Sequence, residues 1–225
     1  MSKILAETAK ALLREISTER AVLLRGSKSI LDGELQNDID IFIPKCEWDD
    51  FMSKASERIL RIDRSAPQQS KLFFKDERSE ALIEVDVFHR ITWRGLEIVN
   101  IQSLPQQEIE ALGVISLSKE AEVWLTVVKN VLHGSVTPPK KLQGFSEPQY
   151  FKARGSARGG LVTLLSRQLS VVAWEAASAQ KFNKTLVFRA RLALVTLAVI
   201  ENPLKAVWGH SCWLYSRILA RSRAK

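Results

Sequence analysis

Asp38 and Asp40 stand two residues apart in Asp38-Ile39-Asp40-Ile41-Phe42-Ile43. In a strand, alternate side chains share a face, so the two carboxylates project together while Ile39, Ile41 and Ile43 point the other way. Carboxylates held a few ångströms apart repel and raise each other's pKa unless a cation shares the site. Hard oxygen donors of this kind suit Mg²⁺, which takes one or two protein carboxylates together with the phosphates of a substrate. Upstream, the apolar run Ala21 to Leu24 ends at Gly26-Ser27. Gly26 lets the backbone approach a ligand closely, and Ser27 adds a hydroxyl and an N–H that could receive a phosphate. Lys28, the next residue, is the best placed of the nearby cations; Arg25, Lys71, Lys75, Arg90 and Arg94 are further candidates for phosphate contact. Together these residues read as a metal-nucleotide site. The plain alternative is a solvated turn followed by an edge strand with an acidic outer face.

A second strand-like segment, Ala81-Leu82-Ile83-Glu84-Val85-Asp86-Val87-Phe88, carries two more carboxylates on one face, Glu84 and Asp86. The ordered set resembles the signature of the nucleotidyltransferase superfamily, which includes DNA polymerase beta, the aminoglycoside nucleotidyltransferases and the CCA-adding enzymes. The set is Gly26-Ser27, a spacer of about ten residues, Asp38-Ile39-Asp40, and then a third carboxylate on a neighbouring strand. Asp86, framed by Val85 and Val87, is closer to the family's third motif than Glu84, which stands in reserve. The resemblance covers roughly the first hundred residues. It implies that Asp38, Asp40 and Asp86 hold one or two Mg²⁺ ions, with Mn²⁺ as the substitute, and that Asp86 helps deprotonate an attacking hydroxyl. Gly26, Ser27 and Lys28 would hold the donor nucleoside triphosphate, ATP first among the candidates. The implied reaction moves a nucleoside monophosphate to a hydroxyl or phosphate acceptor and releases pyrophosphate.

These residues need a framework. Ser2 to Ile16 repeats apolar residues at helical spacing, and Arg20 to Arg25 reads as a strand leading into Gly26-Ser27. Leu31-Asp32-Gly33 reads as a turn before the paired aspartates. Trp48, Phe51, Met52, Ala55 and Ile59 recur as on an amphipathic helix whose Asp49 and Asp50 are its solvated side. Arg61 to Ser70 reads as a polar loop, Lys71 to Lys75 as a strand, and Asp76-Glu77-Arg78 as the turn into the Glu84 and Asp86 strand. Ile91 to Ile98 supplies a further strand or hairpin arm. The fold class is therefore α+β: a small mixed β-sheet with helices on one side, over residues 1–103, followed by an all-helical domain over 104–225.

In the second part, Ser118 caps a helix that runs to Gly134, and Ser135 to Pro148 is a proline-bearing loop. Helices follow from about Gly160 to Ala179, from about Lys184 to Ile200 and from Pro203 onward. The apolar stretch Leu192 to Ile200 is far shorter than the roughly twenty residues of a membrane span. The basic last helix, with Trp208, Trp213 and Tyr215, packs on its neighbours or lies on an anionic membrane.

The chain of 225 residues carries a net charge of +8, which favours polyanionic partners. Cys46 and Cys212 lack metal-ligand spacing, and the start of the chain lacks an apolar signal core, so a cytoplasmic, thiol-reduced protein is expected. His89 reads as structural, and His133 as a helix C-terminal residue favoured as a cation. Trp93 reads as a packing group that could stack on a base. A small-molecule acceptor stands ahead of nucleic acid; the oligomeric state and the acceptor itself are open. The chain is also similar to bacterial nucleotidyltransferase-like proteins of surface-polysaccharide gene clusters, on Trp93-Arg94-Gly95 and the helix after Ser118. Two other readings stand beside it: transfer to RNA or to a protein side chain, and a non-catalytic domain that binds a nucleotide or partner.

Overall fold

The computed structural model describes residues 2–34, 38–66, 68–75, 82–137, 139–145, 159–179 and 183–223. The turn expected at Asp76-Glu77-Arg78 and most of the loop before Pro148 lie outside them. The chain forms two compact units, one of Met1–Arg90 with Pro105–Ser118, the other of Ile91–Leu104 with Lys119–Lys225. The chain thus crosses between units at three points, whereas the sequence pattern places one boundary, after residue 103.

The first unit is built on a seven-stranded mixed sheet. Its strands are β1 (Val22–Leu23), β2 (Asp38–Phe42), β3 (Ile59–Ala66), β4 (Gln69–Lys75), β5 (Leu82–Phe88), β8 (Gln106–Ile109) and β9 (Val114–Leu117). The order across the sheet is β3-β4-β5-β2-β1-β9-β8. The β2 and β5 strands run parallel at its middle, and β1 joins β2 antiparallel and β9 parallel. Helices α1 (Ser2–Ile16) and α3 (Trp48–Ala55) cover one face. The alternation of β2 and β5 makes that face: Ile39, Ile41 and Ile43 with Ile83, Val85 and Val87 meet Leu12, Leu13 and Ile16 of α1 and Phe51 and Ala55 of α3, all buried. Each of the Ile, Val, Leu and Phe side chains removed from water contributes about 1.5–3 kcal/mol. The register follows from this burial, because a slip by one residue would put the aspartates into the core.

Three strands of this sheet differ from expectation. Ile59, read as the end of the α3 face, begins β3, and Arg61 to Ala66, read as loop, continues it. Among the described residues β3 is an edge strand that pairs only with β4, and Leu60 and Ile62 are exposed, so no buried face imposes an apolar alternation on its sequence. β8 and β9 fall within residues 104–225, expected to be all helical, yet they complete the first unit's sheet; β8 is its opposite edge, with Gln106, Gln107 and Glu108 exposed.

The second unit holds a two-stranded hairpin, β6 (Ile91–Trp93) and β7 (Leu96–Val99), with helices α4 (Lys119–His133), α5 (Pro139–Leu142), α6 (Gly159–Ser178), α7 (Lys184–Glu201) and α8 (Pro203–Arg223). Arg94 (φ 49°) and Gly95 (φ 81°) both adopt positive φ, as a two-residue hairpin turn matched to strand twist requires. Within this unit the Gly95 and Gly209 backbones touch: a Cβ at Gly95 would lie 1.9 Å from Gly209 O. Trp93 is buried, with the Arg94 and Arg191 guanidinium groups 4.7 and 5.4 Å from its ring centre, so it serves packing. Among the described residues no helix is long and apolar enough to cross a membrane.

Candidate metal centre

The parallel register aligns Asp38 with Glu84 and Asp40 with Asp86. Partners in register share a face, so four carboxylates stand on the side of the sheet opposite α1 and α3. Three of them converge: one oxygen each from Asp38, Asp40 and Asp86 lies within 4.8 Å of the others. Asp40 and Asp86 are buried and Asp38 is half-buried. Glu84 is outside this group. Lys71 of β4, opposite Asp86 in the antiparallel register, forms an ion pair with Glu84 and places its Nζ 3.7 Å from Asp86 Oδ1.

Asp86 Oδ1 is buried without a hydrogen-bond partner. Burial pushes the Asp86 pKa above its ordinary value, opposed by Lys71 and reinforced by Glu84 and Asp38. A buried, unsatisfied acceptor beside two further carboxylates is costly in the bare protein and suited to a cation. With oxygen donors only, and no Cys or His among them, the set fits Mg²⁺ or Mn²⁺ rather than zinc.

The cations already present are the features the sequence did not assign to these roles. Arg25 ends the segment that runs alongside β2, and its guanidinium bridges the pair: Nη2 lies 2.8 Å from Asp38 Oδ2, and Nε pairs with Asp40. The hydrogen bond with Glu84 raises the Lys71 pKa, so Lys71 stays charged at neutral pH. Arg25 and Lys71 were legible only as basic residues near the motifs; strand register supplies their partners.

Gly26 adopts φ 85° as the N-cap of a short helix, α2 (Ser27–Leu31), followed by the turn at Asp32-Gly33. A Cβ at Gly26 would meet nothing within 4 Å, so the glycine is there for its backbone angle. Ser27 is half-buried and Lys28 exposed in this turn. Lys75 and Arg90 are exposed, and Arg94 belongs to the other unit. His89 donates from Nδ1 to Ile43 O (3.0 Å) and packs edge-on to Trp48, and burial lowers its pKa, consistent with a structural role. Asp49 and Asp50 lie on the exposed side of α3, where Asp50 pairs with Lys54.

No protein-family model matches the chain, and no curated protein matches it. Among solved structures, JHP933 from Helicobacter pylori is similar over 98% of both chains, at 12% identity and a TM-score of 0.37. That likeness is too distant to bear on activity.

Proposed function

We propose that the chain is a metal-dependent nucleotidyltransferase of the DNA polymerase beta-like superfamily. On this reading it moves a nucleoside monophosphate from a nucleoside triphosphate, ATP first, to a hydroxyl or phosphate group on a small-molecule acceptor. The observation that carries the reading is the convergence of Asp38, Asp40 and Asp86 within 4.8 Å on one face of two parallel strands, with Asp86 Oδ1 buried and without a hydrogen-bond partner. Mg²⁺ bound there would neutralise developing charge on the transferred phosphoryl group and lower the pKa of a coordinated hydroxyl. Asp38 and Asp40 would hold the donor side, and Asp86, with its disfavoured charge, the acceptor side, where it could accept a proton from the attacking hydroxyl. The half-buried turn at Gly26 and Ser27 offers N–H and hydroxyl donors to the leaving phosphates, with the exposed Lys28 beside them. Lys71 supplies a fixed positive charge on the same face.

A second reading is favoured by the ion pairs: Arg25 on Asp38 and Asp40, and Lys71 on Glu84, partly neutralise the carboxylates without any metal. Such a site could bind a nucleotide or partner without turnover. The test is thermal denaturation with each nucleoside triphosphate, with and without Mg²⁺, followed by pyrophosphate release with candidate acceptors. Asp38→Asn and Asp40→Asn should each abolish a metal-dependent stabilisation while leaving the fold intact. Stabilisation that survives in the double variant would sink the metal-site reading; metal-dependent binding without turnover would favour the second.

A further inference from the structure

The last helix, α8, is apolar on the side it turns to water. Leu204 is 84% exposed, Trp208 73%, Val207 66%, and Tyr215 and Ile218 64% each, with Leu214 at 45%. Their spacing of three, four and seven residues places them on one stripe, interrupted only by Ser211. The opposite side of the helix is already occupied. Ala206 and Gly209 are buried there, Gly209 lies against Gly95, His210 Nδ1 donates to Arg94 O (3.0 Å), and Lys205 reaches Glu97 (2.6 Å). The hairpin therefore fixes which way α8 faces, and the apolar stripe is its outer surface.

Charge narrows what could cover that stripe. α8 carries Lys205, Arg217, Arg221 and Arg223 and no Asp or Glu. By helical position, Lys205 borders the stripe on one side and Arg217 on the other. A second copy docking through the same face would bring two cationic helices together, which costs affinity. An anionic lipid surface meets both features: it attracts the flanking Lys205 and Arg217, and its headgroup layer suits Trp208 and Tyr215, whose rings are apolar with one polar edge. α7, against which α8 packs, exposes Phe188, Leu192, Val195 and Val199 at the same kind of spacing and adds apolar area to this unit.

We propose that the α8 stripe docks the protein on an anionic membrane surface, with the helix lying in the plane of the headgroups. The test uses the full chain with vesicles of phosphatidylcholine alone, or with about one-third phosphatidylglycerol. The chain should sediment with the anionic vesicles and at least about tenfold less with neutral ones, and salt should release it. Trp208→Glu and Leu204→Glu replace exposed side chains, so circular dichroism and melting temperature should be unchanged while vesicle binding falls about tenfold or more. Failure to bind anionic vesicles at low salt, or binding unaffected by both substitutions, overturns the proposal. So does a lipid-free dimer that Trp208→Glu converts to monomer, because the stripe then belongs to a second copy.

Discussion

Replacing Arg25 by Ala should weaken the metal-free protein and strengthen its grip on metal. The Arg25 side chain is 45% exposed, and its partners differ: the Asp38 side chain is 30% exposed, the Asp40 side chain 6%. An exposed pair contributes about 0.2–1 kcal/mol after solvent screening, and burial of Asp40 lifts the combined contribution to about 1–2 kcal/mol. A divalent ion that takes the oxygens Arg25 now holds, Asp38 Oδ2 and Asp40 Oδ2, competes with this guanidinium, so the same free energy opposes binding. Its removal should raise Mn²⁺ affinity about 5- to 30-fold, at about 1.4 kcal/mol per tenfold. In the metal-free variant Asp38 and Asp40 lose the guanidinium that bridges them, so the melting temperature should fall by about 2–4 °C per kcal/mol lost. Saturating Mn²⁺ should erase that difference. Electron paramagnetic resonance reads free Mn²⁺ directly, and calorimetric melting with and without metal reads the linked stability. A variant that binds Mn²⁺ no more tightly than the parent would refute the competition. A variant that binds metal more tightly but the metal-nucleotide complex more weakly would show that the displaced arginine moves to the phosphates.

Asp86 predicts a pH dependence. Its folded pKa lies above the ordinary 3.8, so in the metal-free protein its contribution to stability is lost as pH rises from that value through the folded pKa. Asp86→Asn should leave the metal-free protein at least as stable as the parent at neutral pH, yet cut Mn²⁺ affinity about tenfold or more by removing a charged ligand. In the parent, Mn²⁺ affinity should fall with one proton taken up as pH drops through the folded Asp86 value; titrations across that range check it. Gly95→Ala meets both a positive φ (81°) and the Gly209 backbone, and should cost about 2–4 kcal/mol in denaturant unfolding. Gly144→Ala, with φ 83° and open space around it, should cost only about 1 kcal/mol.

The residues that made the site legible are those with a strong local period. Ile39, Ile41 and Ile43 on β2, with Ile83, Val85 and Val87 on β5, alternate because one face of each strand is buried under α1 and α3, and the carboxylates follow on the other face. α1 spans Ser2–Ile16, the bounds its apolar repeat marks. The edges were not legible. β3 and β8 present polar or exposed side chains, so pairing with a distant strand, rather than their own pattern, makes them strands. β1 is only two residues long. The geometric difference between Asp86 and Glu84 rests on partners across the sheet: Lys71 takes Glu84, and the register with β2 sets Asp86 beside Asp40. Nor could any local pattern show that Arg25 spans two aspartates, since that needs the pairing of Val22 and Leu23 with Phe42 and Ile41. His133 likewise depends on its surroundings rather than its place in the helix: lost solvation lowers its pKa, and Lys129, Arg191 and Arg94 add to the shift.

The order of strands also sets a timetable for synthesis. β1 is among the first strands to leave the ribosome, but one of its two neighbours in the sheet, β9, ends only at Leu117. Until then the strand that leads into Gly26 has an open edge, with backbone donors and acceptors ready to pair with another chain. The intervening hairpin belongs to the other unit, so that unit has begun to be made before the first sheet can close. A fragment cut at Ser103 would keep the three aspartates and lose β9, leaving the nascent sheet permanently unfinished. The two units are therefore bound to a shared course of maturation, and a chaperone meeting the growing chain would find an open edge beside the strand that carries the chemistry.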